Sequence, residues 1–304
     1  MKKLLGIALA SAAAGLCLSA LKKASDEQTV ELSPVKRSSP NKKAILVVSF
    51  GTSYAQTREK TIGAIEEDFR SAFPEYTIRR AFTSKMIIKK LRERDGIEID
   101  TVAQALEKLE AEGYSTVICQ PTHVMGGFEF DDVKREVENW KGRFDHIACG
   151  WPLLTSSEDY EQVTEALVQE FSDIPSDAAL VLMGHGTEHP ANATYPALDY
   201  RLKARGCKNF FVGTVEGYPD LQTVMQEVAA IHASKVFLAP LMVVAGDHAI
   251  NDLCGEEEDS WKSCFEQAGY QTEPILKGLG EYPAFRRIYL EHCVQCIQSL
   301  ESEQ

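Results

Sequence analysis

Positive charge is scarce in this sequence. Lysine and arginine number 32 against 45 aspartates and glutamates, a formal net charge of -13. So acidic a chain lacks the basic surface that phosphate backbones require, which excludes nucleic acid as its partner. Long hydrophobic runs are missing as well. The only extended apolar stretch, from Leu4 to about Leu21, is short for a membrane span. Cysteine is present, at 8 residues in 304, but not in the spacing of a disulfide scaffold. In the segment HCVQC, His292 to Cys296, the histidine stands on the wrong side for haem attachment. A Cys293–Cys296 pair one helical turn apart reads as structural or incidental. What remains is ordinary for a globular protein, 44% hydrophobic and 25% charged.

The N-terminus stands apart. Lys2 and Lys3 precede the Ala-rich apolar stretch, the layout of a secretory signal peptide over residues 1–25. An uncleaved anchor is the alternative. Residues 26–42 are polar, with Ser38, Ser39 and Pro40, and read as a flexible linker. Export through such a leader predicts a periplasmic location.

Beyond residue 43 the pattern is strand, then helix, repeated. Apolar runs at Ala44–Phe50, Thr77–Phe82, Thr116–Cys119, His146–Cys149, Ala179–Met183, Asn209–Val212, Lys235–Ala239 and Thr272–Leu276 alternate with amphipathic segments such as IDTVAQALEKLEAEG. This predicts an α/β fold with parallel sheets flanked by helices. The two parts of the chain also match each other. ILVVSFGTS resembles LVLMGHGTE, AFTSK aligns with VGTVE, and STVICQPTHVMGGFE aligns with SKVFLAPLMVVAGDH. Three matches in one order imply a duplicated unit. We therefore expect two pseudo-symmetric domains, residues 43–155 and 156–304, facing each other across a cleft. The last helix is free in this reading to return to the first domain.

The repeat isolates three pairs of positions at strand ends, where open α/β sheets bind ligands. In the second half they are His185, Glu216 and His248; in the first they are Phe50, Lys85 and Glu129. Two histidines and a carboxylate suit a divalent transition metal with coordination positions left open. The first-half set does not. His185, Glu216 and His248 are thus the candidate metal ligands and catalytic residues.

Several segments together resemble a known family: VSFGTSYAQTREKTI, QPTHVMGGFEFDDV, LMGHGTEHPANATY, GTVEGYPD, PLMVVAGDHAINDLCGEEEDSWK and GLGEYPAFR. They are similar to the anaerobic sirohydrochlorin cobaltochelatases, class II chelatases of the CbiK type, from about Lys43 to the C-terminus. The resemblance implies two α/β domains holding a tetrapyrrole in their cleft, with the family's metal-site His, Glu and His on His185, Glu216 and His248. It implies Co2+ as substrate metal, sirohydrochlorin as the macrocycle, a role in cobalamin synthesis, no organic cofactor, and association into a homo-oligomer. The residues alone leave the metal open, since His and Glu ligands also accept Fe2+, Ni2+ and Zn2+. A sirohydrochlorin ferrochelatase and an exported carrier without turnover are the competing readings.

Four first-half residues are candidates for substrate contact: Phe50, Lys85, His123 and Glu129. For His123 a polar strand-end role is the alternative. The basic stretch RRAFTSKMIIKKLRERDG could meet a carboxylate-rich substrate, though a solvated helix face explains most of it; Lys85 is the exception by its place in the repeat. GEEEDSW reads as a solvated acidic turn. His146, His189, His232 and His292 match no site and are expected at the surface.

Overall fold

The computed structural model describes residues 41–302. The predicted leader and nearly all of the predicted linker lie outside the described residues. Two four-stranded parallel sheets organise the chain. The first holds β1 (Lys43–Ser49), β2 (Tyr76–Phe82), β3 (Thr116–Pro121) and β4 (His146–Cys149), in the order β2-β1-β3-β4. The second holds β5 (Ala179–Gly184), β6 (Phe210–Thr214), β7 (Lys235–Pro240) and β8 (Gln271–Pro274), in the order β6-β5-β7-β8. The matching order gives the sequence repeat a structural form.

Helices cover both faces. In the first part, α1 (Ala55–Arg58) continues through a π turn (Glu59–Gly63) into α2 (Ala64–Ala72), followed by α3 (Lys85–Asp95), α4 (Val102–Ala111) and α5 (Phe128–Asn139), and α6 (Ser157–Glu170) leads from the first sheet to the second. In the second part come α7 (Thr194–Ala204), α8 (Leu221–Ala230), a second π turn (Ala249–Leu253), α9 (Trp261–Gln267) and α10 (Pro283–Ser302). Among the described residues no helix is long and apolar enough to cross a membrane.

The central strands are continuous apolar runs because both of their faces are buried. Successive residues of β1 serve different cores: Ile45 and Val47 on one side, Ala44, Leu46 and Val48 on the other. In β5, Leu180 and Leu182 alternate with Ala179, Val181 and Met183 in the same way. The core that receives Ile45 and Val47 is the one that receives Leu180 and Leu182. Phe69 of α2, Leu167 of α6, Leu198 of α7 and Tyr289 of α10 join it. A single apolar cluster therefore ties the two sheets together. β8 is an edge strand paired only with β7. It ends at Pro274, short of the apolar run read from sequence, and Leu276 is exposed.

The C-terminal helix α10 reaches back to β3. The Tyr289 hydroxyl donates to the Thr122 carbonyl at 2.9 Å, and lies 3.3 Å from that of His123. Strand register sets up the candidate site. Gly184 stands beside Thr214, and Met183 beside Pro240, so β5, β6 and β7 end level with one another.

Candidate metal centre

His185 follows the last residue of β5, Glu216 lies just past β6, and His248 opens the π turn after β7. Two glycines shape the first of these turns. A Cβ on Gly184 would lie 2.1 Å from Tyr195 Cε1, so glycine lets the ring close against the strand end. Gly186 has φ +83°, and a Cβ there would stand 2.6 Å from the Gly217 nitrogen. Only glycine allows that left-handed turn together with so close an approach. The turns after β5 and β6 are thereby pressed together, and the Glu216 N–H donates to the His185 carbonyl at 2.7 Å. Asn192 bridges the same turns. Its Oδ1 accepts from the Thr187 N–H at 3.1 Å and its Nδ2 donates to the Tyr218 carbonyl at 2.7 Å.

The three predicted ligands converge. Ligand atoms from His185, Glu216 and His248 all lie within 4.8 Å of one another. The two imidazoles meet edge to face, with centroids 4.5 Å apart at 86°. His185 Nδ1 is 2.9 Å from the Gly186 carbonyl, which can only accept, so Nδ1 carries the proton and Nε2 presents a lone pair. His248 Nδ1 is 2.7 Å from Asp252 Oδ2, which assigns the same tautomer and leaves Nε2 free. Both histidines thus spend Nδ1 on a neighbour and turn Nε2 to the open side of the cluster. Side-chain exposure of 41%, 59% and 35% for His185, Glu216 and His248 leaves the group open to a further ligand. The donor set fits a borderline divalent ion bound with vacant positions. A closed four-ligand cage would instead retain it.

The first-half candidates are arranged differently. Phe50 follows β1 as His185 follows β5 and is 42% exposed, an apolar surface where the other half has a ligand. His123 is partly buried, with Nε2 3.5 Å from Thr83 Oγ1 and Nδ1 enclosed without a hydrogen-bond partner. Burial pushes this imidazole down to about 4, with the Glu129 carboxylate opposing the shift. His123 is therefore neutral at ordinary pH. Glu129 is exposed in the first turn of α5, and its charge reaches both His123 and Tyr195. Lys85 begins α3 and lines a groove with Lys89, Arg92, Thr101 and Gln104; none of the three converging ligands lines that groove.

Contacts between the halves flank the cluster. Phe128 meets the His189 ring with centroids 4.8 Å apart, and His189 Nε2 lies 3.3 Å from Asp131 Oδ2. The Tyr54 hydroxyl donates to Asp247 Oδ1 at 3.0 Å, one residue before His248. His189, expected at the surface, is thus a bridge between halves. His292 was expected there too and is 3% exposed, because α10 packs it against α6 and the segment after β4. Sequence reasoning also missed Asp252. Its four-residue spacing from His248 was the available signal, hidden because that segment reads as a loop rather than a helical turn.

Two like-ordered parallel sheets with an open His/Glu/His cluster at one carboxyl edge fit the class of metal chelatases. Residues 43–298 match the family described as cobalt chelatase (CbiK), and the chain belongs to that family. It is similar to a sirohydrochlorin cobaltochelatase of Salmonella typhimurium, at 45% identity over 262 residues, 86% of this chain and 99% of that protein. It is similar also to the sirohydrochlorin cobaltochelatase CbiKC of Nitratidesulfovibrio vulgaris, at 34% identity over 273 residues, 89% of this chain and 96% of that protein. A solved structure of SirB from Bacillus subtilis with Fe3+ superposes with a TM-score of 0.59 at 14% identity, covering 86% of this chain and 98% of that one. At that identity the likeness is one of fold.

Proposed function

We propose that this enzyme inserts Co2+ into sirohydrochlorin, with release of two protons, in the service of cobalamin synthesis. The observation that carries this reading is the open cluster of His185, Glu216 and His248, with both Nε2 atoms free of hydrogen bonds to protein carbonyls or carboxylates. The metal must be held by few and mixed donors, so that the macrocycle nitrogens can take it over. Each pyrrole N–H that gives way to the metal releases a proton. As His185 and His248 lose the metal, their Nε2 lone pairs become available for those protons. Asp252 then faces an imidazolium at His248 and stabilises it. Glu216 offsets the metal's charge while it is held. Phe50, His123 and Glu129 are assigned to the macrocycle side, whereas Lys85, in its separate groove, is not.

The test is anaerobic incubation of the purified protein with sirohydrochlorin and Co2+, followed by absorbance. Turnover above the uncatalysed background is expected, faster with Co2+ than with Fe2+. A faster rate with Fe2+ would assign the other metal, and no rate above background would leave only a carrier. His185→Ala and His248→Ala should each lower the rate by about 10² to 10⁴ while circular dichroism stays unchanged. His123→Ala should act mainly on apparent affinity for the macrocycle and spare Co2+ binding. Loss of Co2+ binding in His123→Ala, with His185→Ala unaffected, would move the metal site to the first half and overturn this assignment.

A further inference from the structure

Arg58 is the exception among the arginines. Every other arginine of the described residues has a carboxylate oxygen within 4.0 Å; Arg58 has none. Its neighbours illustrate the contrast. Arg80 is taken by Glu66 at 2.6 Å, and Arg94 by Asp95 at 2.6 Å. Arg58 spends one N–H on the Thr52 carbonyl at 3.1 Å, and the rest of its planar fork is unassigned. The side chain is partly buried. Burial and the nearby charges of Arg80 and Arg94 lower its pKa, while Asp95 and Glu59 act the other way. An arginine left half-buried and unpaired among other cations, in a chain of net charge -13, is a costly arrangement unless an anion arrives.

Its place in the fold says which anion. Arg58 closes α1, directly after the turn that follows β1. That turn is the repeat equivalent of the one carrying His185. The same segment touches the approach to His248: the Tyr54 hydroxyl donates to Asp247 at 3.0 Å, and Thr57 Oγ1 donates to the Ala245 carbonyl at 3.5 Å. Arg58 therefore belongs to the first-half segment whose Tyr54 and Thr57 meet Asp247 and Ala245, within three residues of His248. We propose that Arg58 receives a peripheral carboxylate of the tetrapyrrole and so fixes the ring's orientation over His185 and His248. A guanidinium with an unspent fork suits a carboxylate bidentately, in a way that lysine cannot reproduce. This assignment rests on the tetrapyrrole reading of the site.

The experiment compares two probes, a metal-free porphyrin polycarboxylate and its methyl ester, by fluorescence titration against wild type, Arg58→Gln and Arg58→Lys. Binding of the acid should weaken about tenfold or more in Arg58→Gln, as expected for a lost charge-assisted hydrogen bond, and recover in part in Arg58→Lys. Ester binding and Co2+ titration should be unchanged. Equal weakening of acid and ester would overturn the proposal, since Arg58 would then act only by shaping the Thr52 turn. Unchanged acid binding in Arg58→Gln would overturn it too. Wild-type protein that binds neither probe would instead remove the tetrapyrrole reading, and the role of Arg58 with it.

Discussion

Asp252 does for His248 what the Gly186 carbonyl does for His185: it occupies Nδ1 and so directs Nε2 outward. The two devices differ in strength. A carbonyl fixes the tautomer, whereas a carboxylate at 2.7 Å also makes the imidazole a better donor and holds its plane. Orienting partners of this kind are worth about 10- to 100-fold in metal affinity. Asp252→Ala should therefore weaken Co2+ binding by about that factor, measured by calorimetric titration. Asp252→Asn should lose less, because its amide oxygen still accepts the Nδ1 proton. Unchanged Co2+ affinity in Asp252→Ala would show that the contact is incidental to the metal.

At the scale of elements, the turns matter more than the strands they follow. The strands were legible because burial on both faces leaves an uninterrupted apolar run, as in Ala179 to Met183. The convergence of the triad was legible because the repeat set His185 against Phe50, Glu216 against Lys85 and His248 against Glu129. What sequence did not disclose is long-range closure. The pressure of Gly186 on Gly217, the bridge made by Asn192, and the unpaired state of Arg58 depend on residues that meet only after folding. Gly186→Ala isolates that closure. It adds strain at φ +83° and a Cβ within 2.6 Å of backbone, and should cost about 1–3 kcal/mol in urea unfolding while weakening Co2+ binding. Gly113→Ala is the matched control, with φ +81° but nothing within 4 Å of its Cβ. It should show backbone strain without any change in metal binding. Equal effects of the two variants on Co2+ would mean that turn closure does not hold the ligands together.

At the scale of the whole molecule, α10 joins what the duplication left as two parts. It contributes Phe285, Ile288 and Tyr289 to the shared core and holds the Thr122 carbonyl through the Tyr289 hydroxyl. One buried polar clasp fixes it there. His292 Nε2 lies 2.9 Å from Asp159 Oδ1, and its Nδ1 lies 3.1 Å from the Trp151 carbonyl. Burial alone would raise the Asp159 carboxyl. Hydrogen bonds from His292 and from the Ser156 and Thr155 N–H groups outweigh it and hold the group below its ordinary value. A carboxylate depressed in the folded state contributes stability above its unfolded pKa, near about 4, and that contribution is lost as pH falls through the folded value. His292→Ala leaves Asp159 buried without its imidazole partner and should cost about 3 kcal/mol at pH near 7. The gap between wild type and variant should then narrow as urea unfolding is repeated at falling pH below about 4, because protonated Asp159 no longer needs the partner. A gap that stays constant across that range would place the worth of His292 in packing rather than in its bond to Asp159.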